Sequence, residues 1–225
     1  MKTMIDVAKF LPAADALRRI CVALSVLDII VSAPDPLRQD YAFEQEWALG
    51  IDIATMENGG GDGYLVAFGP YGVIILGFDH ESEMSPYSST PVAPWPGMLE
   101  FIPEAYSEIL ADLPEFLHDG VPLVTCCAWL PAGEAKWRTG DIGFPSDSGD
   151  TCPDGSVMLF GFLTDPDPSA YVETLSVSSP PLAIDAVGKI LQLARITPEM
   201  VVALNPECSL EAVVDEIAAT GYPTS

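Results

Sequence analysis

The sequence predicts an α+β fold, in which a mostly antiparallel central sheet lies between an N-terminal helix and a C-terminal helical segment. Apolar residues recur at helical spacing near the start of the chain, and again near its end, where capping residues accompany them. Between these segments, apolar and polar residues alternate among glycine turns, as in strands. The length fits a single α+β domain over residues 1–225, with a possible division into 1–120 and 121–225.

The N-terminal helix is predicted from one apolar stripe at three- and four-residue steps, which contains Val7, Phe10, Leu11, Ala14, Leu17, Cys21, Leu24 and Val31. A signal peptide is the alternative, because Arg18 and Arg19 precede an apolar run. Asp28 interrupts that run, which favours an amphipathic helix. No apolar run approaches the roughly 18 residues that a bilayer span requires, so we expect no membrane insertion.

A three-stranded meander is predicted between about residues 43 and 79. Alternation from Trp47 to Ala54 predicts its first strand, and the glycine-rich turn at 58–63 precedes a second strand over 64–68. A turn at 69–72 then leads to a third strand over 73–79. Short turns of this kind predict antiparallel pairing.

The prolines between residues 85 and 96 predict an extended connector, and Pro103 suits the first turn of a following helix. Further strands are predicted over 123–130 and 157–163. The acidic segment between them contains Asp147, Asp150 and Asp154, which lack the spacing of an EF-hand and are expected in a solvated loop.

Three helices are predicted at the end of the chain, over about 184–194, 198–204 and 210–219. Thr197 and Ser209 stand at the N-cap positions of the last two helices, and Gly221 follows the last one.

Charge is the most unusual feature of the composition. The chain has 33 Asp and Glu against 9 Lys and Arg, a formal net charge of −24. No Lys or Arg occurs between Arg38 and Lys136, although acidic residues continue throughout that stretch. Nucleic-acid binding, which needs clustered cations, is therefore not expected, whereas a negative field attracts basic proteins. General solubility or an acidic host proteome is the alternative explanation.

Five cysteines without a C-x-x-C spacing indicate neither a disulfide framework nor a zinc knuckle. A reducing compartment is expected, and we place the protein in the cytoplasm. Cys126 and Cys127 fall in a predicted strand, where they would point to opposite faces as small buried apolar groups. No cofactor is predicted.

The stretch "GFDHESEMSP" over 77–86 is the candidate site, because it surrounds one of two histidines with carboxylates. If the third strand continued through it, His80 would share the core face with Phe78, and Asp79 and Glu81 would share the other face. A metal site formed by these three residues would need the strand to break, and no metal ligands are assigned. His80 is instead expected to be a hydrogen-bonded cap on the core face. The predicted binding residues are Asp62, Asp79, His80, Glu81, Glu83 and Trp95.

No G-x-S-x-G elbow, P-loop, H-E-x-x-H or dinucleotide fingerprint occurs in the sequence, so no catalytic residue is assigned. The segment "NGGGDGYLVAFGPYGVIILGFDHESEMSPY" followed by "WPGMLE" resembles a group of bacterial hypothetical proteins with a G-F-D-H-E-S-x-M-S-P string. That resemblance implies no functional residues. The small, acidic α+β character is also similar to that of immunity proteins of bacterial toxin–immunity systems.

These observations lead to one favoured hypothesis and two alternatives. The favoured one is an acidic, immunity-type protein that neutralises a basic protein partner such as a nuclease toxin. The first alternative is a metal-dependent or hydrolytic enzyme that uses Asp79, His80, Glu81 and Asp62. The second is a scaffold or regulatory domain.

Overall fold

The predicted α+β class is confirmed in the computed structural model, which describes residues 2–111, 116–145, 152–175 and 180–223. Its main sheet is antiparallel and has five strands. The strands are β1 (Tyr41–Ala48), β2 (Ile51–Glu57), β3 (Gly63–Gly69), β4 (Gly72–Phe78) and β7 (Cys126–Pro131), and a separate small hairpin contains β5 (Leu117–His118) and β6 (Val121–Pro122). The helices are α1 (Met4–Val7), α2 (Ala14–Ser32), α3 (Glu104–Ala111), α4 (Ser156–Leu159), α5 (Gly161–Thr164), α6 (Pro168–Glu173), α7 (Pro180–Leu191), α8 (Pro198–Leu204) and α9 (Leu210–Ala219).

Two compact units make up the chain. The first contains Met1–Ala14 and Glu57–Thr164, and the second contains Asp15–Met56 and Asp165–Ser225. The division considered at residue 120 falls inside the first unit, and a single functional domain over 1–225 stays a prediction. None of the helices in the described ranges is long and apolar enough to cross a membrane.

The core of the first unit is the antiparallel set β3, β4 and β7. Tyr64 pairs with Gly77 across β3 and β4, and Ile75 pairs with Ala128 across β4 and β7. All residues over 64–68, 73–77 and 126–130 are buried, so both faces of these strands are covered. Cys126 and Cys127 are both buried, as their apolar role predicted.

The strand predicted over 157–163 is wrong, because α4 and α5 occupy this segment. Its buried residues Leu159, Phe160 and Leu163 recur at helical spacing, which a short apolar run does not distinguish from a buried strand. A Cβ atom on Gly77 would lie 2.6 Å from Cys126 Sγ and 2.8 Å from a Leu159 methyl carbon. The absence of a side chain at Gly77 therefore allows this segment to pack closely on β4.

The second unit is organised around α2, in which every residue from 21 to 30 is buried. The single continuous stripe predicted from Val7 is interrupted, because α1 ends at Val7 and Pro12 precedes α2. Proline suits a helix start but not a helix interior. The helices over 198–204 and 210–219 are confirmed, with Thr197 and Ser209 accepting hydrogen bonds as N-caps.

The first strand of the predicted meander is also wrong, because β1 and β2 form a hairpin where one strand was expected. Ala48 pairs with Ile51, so Leu49 and Gly50 form a two-residue turn. Gly50 has φ of +71°, and Leu49 is 97% exposed. Positive φ is accessible to glycine without strain, and the alternating pattern continued through the turn and concealed it.

Candidate functional site

The candidate site lies where the hairpin of β3 and β4 opens. Gly63 pairs with Phe78, so the residue before β3 and the residues after β4 emerge side by side. This register brings Asp62 beside Asp79 and His80, although 16 or more residues of sequence separate them. Antiparallel pairing is thus the reason that the glycine-rich turn and the GFDHES segment form one site.

The turn over 58–62 holds the Asp62 carboxylate in place. Asn58 Oδ1 accepts hydrogen bonds from the N–H groups of Gly60 at 2.8 Å and Asp62 at 3.2 Å. Its amide nitrogen donates to Asp62 Oδ2 at 2.9 Å, which leaves Asp62 Oδ1 for His80. Gly61 has φ of +101°, and the His80 ring lies 3.4 Å from where a Gly61 Cβ would be. Asx turns of this kind favour Asn and Gly.

The expected position of His80 on the core face is wrong. Strand β4 ends at Phe78, and the His80 side chain is 46% exposed. Asp62 Oδ1 accepts from the His80 backbone N–H at 3.0 Å and lies 2.7 Å from His80 Nδ1. The Asp62 carboxylate holds His80 in a position beyond the end of β4, because one carboxylate oxygen interacts with both the backbone N–H and the imidazole of His80.

Three neighbouring groups have shifted pKa values. The hydrogen bond with Asp62 raises the pKa of His80, and the negative charges of Glu81 and Asp79 add to the effect. Burial alone would raise the pKa of Asp62, but hydrogen bonds from His80 and Asn58 outweigh it and lower that pKa. Burial and the charge of Asp62 raise the pKa of Asp79, against the hydrogen bond from the Glu81 N–H. Asp62 is therefore the carboxylate that stabilises a protonated His80.

Asp62, Asp79 and His80 also form the group of potential metal ligands found in the described part of the chain. Each offers one ligand atom, and these atoms lie within 4.8 Å of one another. The sequence had assigned no metal to this stretch because a continuous strand would separate His80 from Asp79. The early end of β4 removes that objection.

A buried loop supports Asp79 from the interior. Thr125 Oγ1 accepts from the Asp79 N–H at 3.1 Å and donates to the Asp154 carbonyl at 2.9 Å. Gly155, at φ of +71°, packs directly against the Asp79 side chain and leaves no room for a Cβ. Ser82 Oγ donates to the Pro153 carbonyl. The GFDHES segment is therefore fixed by residues 153–155, which the sequence did not associate with it.

Asp154 was expected in a solvated loop, but it is fully buried. Its carboxylate accepts from the Met4 N–H at 2.6 Å, from the Ser156 N–H at 3.1 Å and from Ser156 Oγ at 2.7 Å. A buried carboxylate needs such donors. The sequence signal that could have indicated this role is Pro-Asp-Gly-Ser directly before an apolar helical run. Asp147 and Asp150 lie outside the described residues.

A cavity of about 400 Å³ opens beside Asp62. Two carboxylates, Glu57 and Asp62, line it together with the apolar side chains of Phe78, Phe116 and Leu123. None of the residues lining it is Lys or Arg. We call it the acidic pocket.

An exposed aromatic residue lies at the edge of the acidic pocket. The Tyr87 ring meets Phe78 edge to face, with centroids 6.1 Å apart, and His118 in the same way at 5.3 Å. Tyr87 is 51% exposed. Tyrosine is enriched at protein interfaces relative to the rest of the surface.

The remaining predicted binding residues have different surroundings. Glu81 and Glu83 are exposed, and Glu81 interacts electrostatically with His80. Trp95 is half-buried, and its indole N–H donates to the Gly143 carbonyl at 2.8 Å. Neither Glu83 nor Trp95 lines the acidic pocket. The binding roles of all six residues stay predictions.

Comparison with known proteins gave no match: no protein-family model, no curated protein and no solved structure resembles the chain significantly.

Proposed function

We propose that the protein is an acidic, immunity-type binding protein that neutralises a basic protein partner, such as a nuclease toxin, at the acidic pocket. The observation that carries the proposal is the pocket itself, which Glu57 and Asp62 line together with Phe78, Phe116 and Leu123 and to which no Lys or Arg contributes. Asp62 shares its charge with His80, whereas Glu57 is exposed and has no ion pair within the described residues. Negative charge is thus combined there with concave shape and apolar surface.

A Lys or Arg side chain of the partner is complementary to both the apolar and the acidic parts of the pocket. Its aliphatic stem packs along Phe78 and Leu123, while its charged end reaches Glu57 and Asp62. Tyr87 adds an exposed aromatic contact at the edge. The binding energy then comes from a few desolvated contacts, and the net charge of −24 mainly accelerates the encounter.

The test is capture of cationic proteins on the immobilised protein, followed by affinity measurement with the purified partner at low and moderate salt. The key variant is Glu57→Lys, and Asp215→Lys on α9 is the matched control with the same change in net charge. Glu57 and Asp215 are both exposed and without a side-chain hydrogen bond in the described structure. We expect the affinity to fall more than about tenfold for Glu57→Lys and less than about threefold for the control.

Two results would contradict the proposal. One is equal weakening by both substitutions, since the total charge would then matter and the pocket would not. The other is retention that ignores ionic strength, because a partner held by exposed charges must bind less tightly as salt screens them.

A metal-dependent or hydrolytic activity is the alternative, and the ligand atoms of Asp62, Asp79 and His80 within 4.8 Å favour it. Imidazole and carboxylate together suit Zn²⁺ or Mn²⁺. Calorimetric titration with each metal alone decides the point. Saturable binding that His80→Ala removes without lowering Tm would support a metal site, and absence of saturable binding in both calorimetry and equilibrium dialysis would exclude one for these ions.

A further inference from the structure

The first unit contains only four Lys and Arg side chains, Lys2, Lys9, Lys136 and Arg138. Three of them, Lys9, Lys136 and Arg138, line one cavity of about 790 Å³. We call it the basic cleft, and it shares no lining residue with the acidic pocket. In a chain of net charge −24, this concentration of positive charge is opposite to the general trend.

The walls of the basic cleft are held by hydrogen bonds that do not involve the charged groups. Trp129 and Arg138 exchange two backbone hydrogen bonds, at 2.9 and 2.8 Å. The Trp137 indole N–H donates to the Pro12 carbonyl at 3.0 Å, which ties this segment to the chain that follows α1. Trp129 and Trp137 are both buried. The cleft is therefore formed before any ligand binds.

The three cations differ in their pairing. Lys9 pairs with Asp6 at 2.7 Å, and Arg138 pairs with both carboxylate oxygens of Glu134 at 2.6 Å. Lys136 is exposed and makes no ion pair or side-chain hydrogen bond within the described residues. One positive charge in the cleft is thus uncompensated.

The apolar part of the lining faces solvent at Phe101 and Ile5. Phe101 is 72% exposed, and it lines the cleft with Ile5 and Leu11. An exposed phenyl ring beside buried indoles offers a flat apolar surface. The volume lies in the range of about 300–1,000 Å³ that is usual for small-molecule sites.

We propose that the basic cleft binds a small organic anion, a flat aromatic carboxylate whose charged end meets Lys136 and whose ring packs on Phe101. Lys136 supplies the uncompensated charge, and the exposed side chains of Phe101 and Ile5 supply most of the apolar surface, with Trp129 and Trp137 behind them in the wall. A cationic ligand would find no free carboxylate at Asp6 or Glu134, because Asp6 pairs with Lys9 and Glu134 pairs with Arg138. The inference does not depend on the function proposed for the acidic pocket.

The probe is 2-naphthoate, compared with the neutral 2-naphthalenemethanol and with inorganic phosphate. Binding is followed by NMR through the four indole N–H signals. We expect saturable shifts for Trp129 and Trp137, but not for Trp47 or Trp95, which do not line the cleft. We also expect naphthoate to bind at least about tenfold more tightly than either comparison compound.

Variants separate charge from shape. Lys136→Glu should weaken naphthoate binding at least about tenfold, and Lys2→Glu, which makes the same charge change outside the cleft, should weaken it less than about threefold. Phe101→Ala should weaken the acid and the alcohol alike. Unchanged Tm confirms that each variant folds.

Any one of three results overturns the inference: no saturable binding up to about 10 mM naphthoate, equal affinity for the acid and the alcohol, or equal effects of Lys136→Glu and Lys2→Glu.

Discussion

At the scale of single residues, the protonation of His80 depends mainly on one carboxylate. Asp62 Oδ1 lies 2.7 Å from His80 Nδ1, and this hydrogen bond is the largest cause of the raised pKa of His80. A histidine with a raised folded pKa stabilises the folded state fully below its unfolded pKa, near 6.5. That contribution is lost as the pH rises through the raised folded value.

Replacing the carboxylate should return His80 towards ordinary behaviour. We expect Asp62→Asn to lower the pKa of His80 towards 6.5, because the amide keeps an acceptor for the backbone N–H but carries no charge. NMR titration of the imidazole signals measures the effect, and His118→Gln assigns them, since the chain has two histidines. Glu83→Gln is the control for loss of one nearby exposed charge. An unchanged pKa in Asp62→Asn would contradict this account of the site.

At the scale of secondary-structure elements, Asp28 connects α2 to the start of β1. One carboxylate oxygen accepts from the N–H groups of Asp40 and Tyr41, and the other accepts from Ser32 Oγ. The residue is only 7% exposed, and burial raises its pKa in spite of these hydrogen bonds. From the sequence, Asp28 was interpreted only as an interruption of an apolar run.

Two substitutions at Asp28 separate its hydrogen bonds from its charge. Asp28→Ala leaves two backbone N–H groups without an acceptor, so we expect the free energy of unfolding to fall by about 2–4 kcal/mol. Asp28→Asn keeps an acceptor, and we expect a smaller loss, under about 1 kcal/mol at neutral pH. Urea unfolding measures both values, and equal losses would contradict the role of the two hydrogen bonds.

The pH dependence of the same pair of proteins follows from the raised pKa of Asp28. On acidification, the folded state binds a proton at Asp28 at a higher pH than the unfolded chain does, because the carboxyl group of the unfolded chain has the ordinary pKa of 3.8. Wild type should therefore gain stability relative to Asp28→Asn as the pH falls through the raised folded pKa, until 3.8 is reached. Urea unfolding at a series of pH values tests this direction. A relative loss on acidification would show that the pKa is lowered instead.

At the scale of the whole molecule, the charge is far from balanced. Only four ion pairs between Lys or Arg and a carboxylate occur within the described ranges: Lys9–Asp6, Arg18–Asp52, Arg138–Glu134 and Lys189–Asp185. The other described carboxylates have no such partner, against a total of 33 acidic residues. Mutual repulsion of this kind destabilises the compact state.

Screening should therefore stabilise the protein. Raising NaCl from about 0.01 M to 0.15 M shortens the Debye length from about 30 Å to about 8 Å, so we expect the urea midpoint at pH 7 to rise. The same salt range at pH 4, where many carboxylates are protonated, should have a smaller effect. A midpoint that stays constant or falls at pH 7 would show that the repulsion does not limit stability.

The sequence by itself determined the features that depend on near neighbours in the chain. The helices over 198–204 and 210–219 follow directly after their N-caps, Thr197 and Ser209, because a cap and an apolar stripe are both local signals. The α+β class and the lopsided charge were also predictable from patterning and composition. The strand predicted over 157–163 was wrong, because a short apolar run does not distinguish a strand from a buried helical segment, and α4 and α5 occupy this stretch.

Only the tertiary structure decided the candidate site. Spacing along the chain gives no information about strand register, and it is the pairing of Gly63 with Phe78 that sets Asp62 against His80. The support of Asp79 by Thr125 and Gly155 likewise joins residues that lie far apart in sequence. Cavities also arise only when separate segments meet, so the acidic pocket and the basic cleft could not be predicted from the sequence. Contacts of this kind follow from the packing of the whole core, which no local pattern encodes.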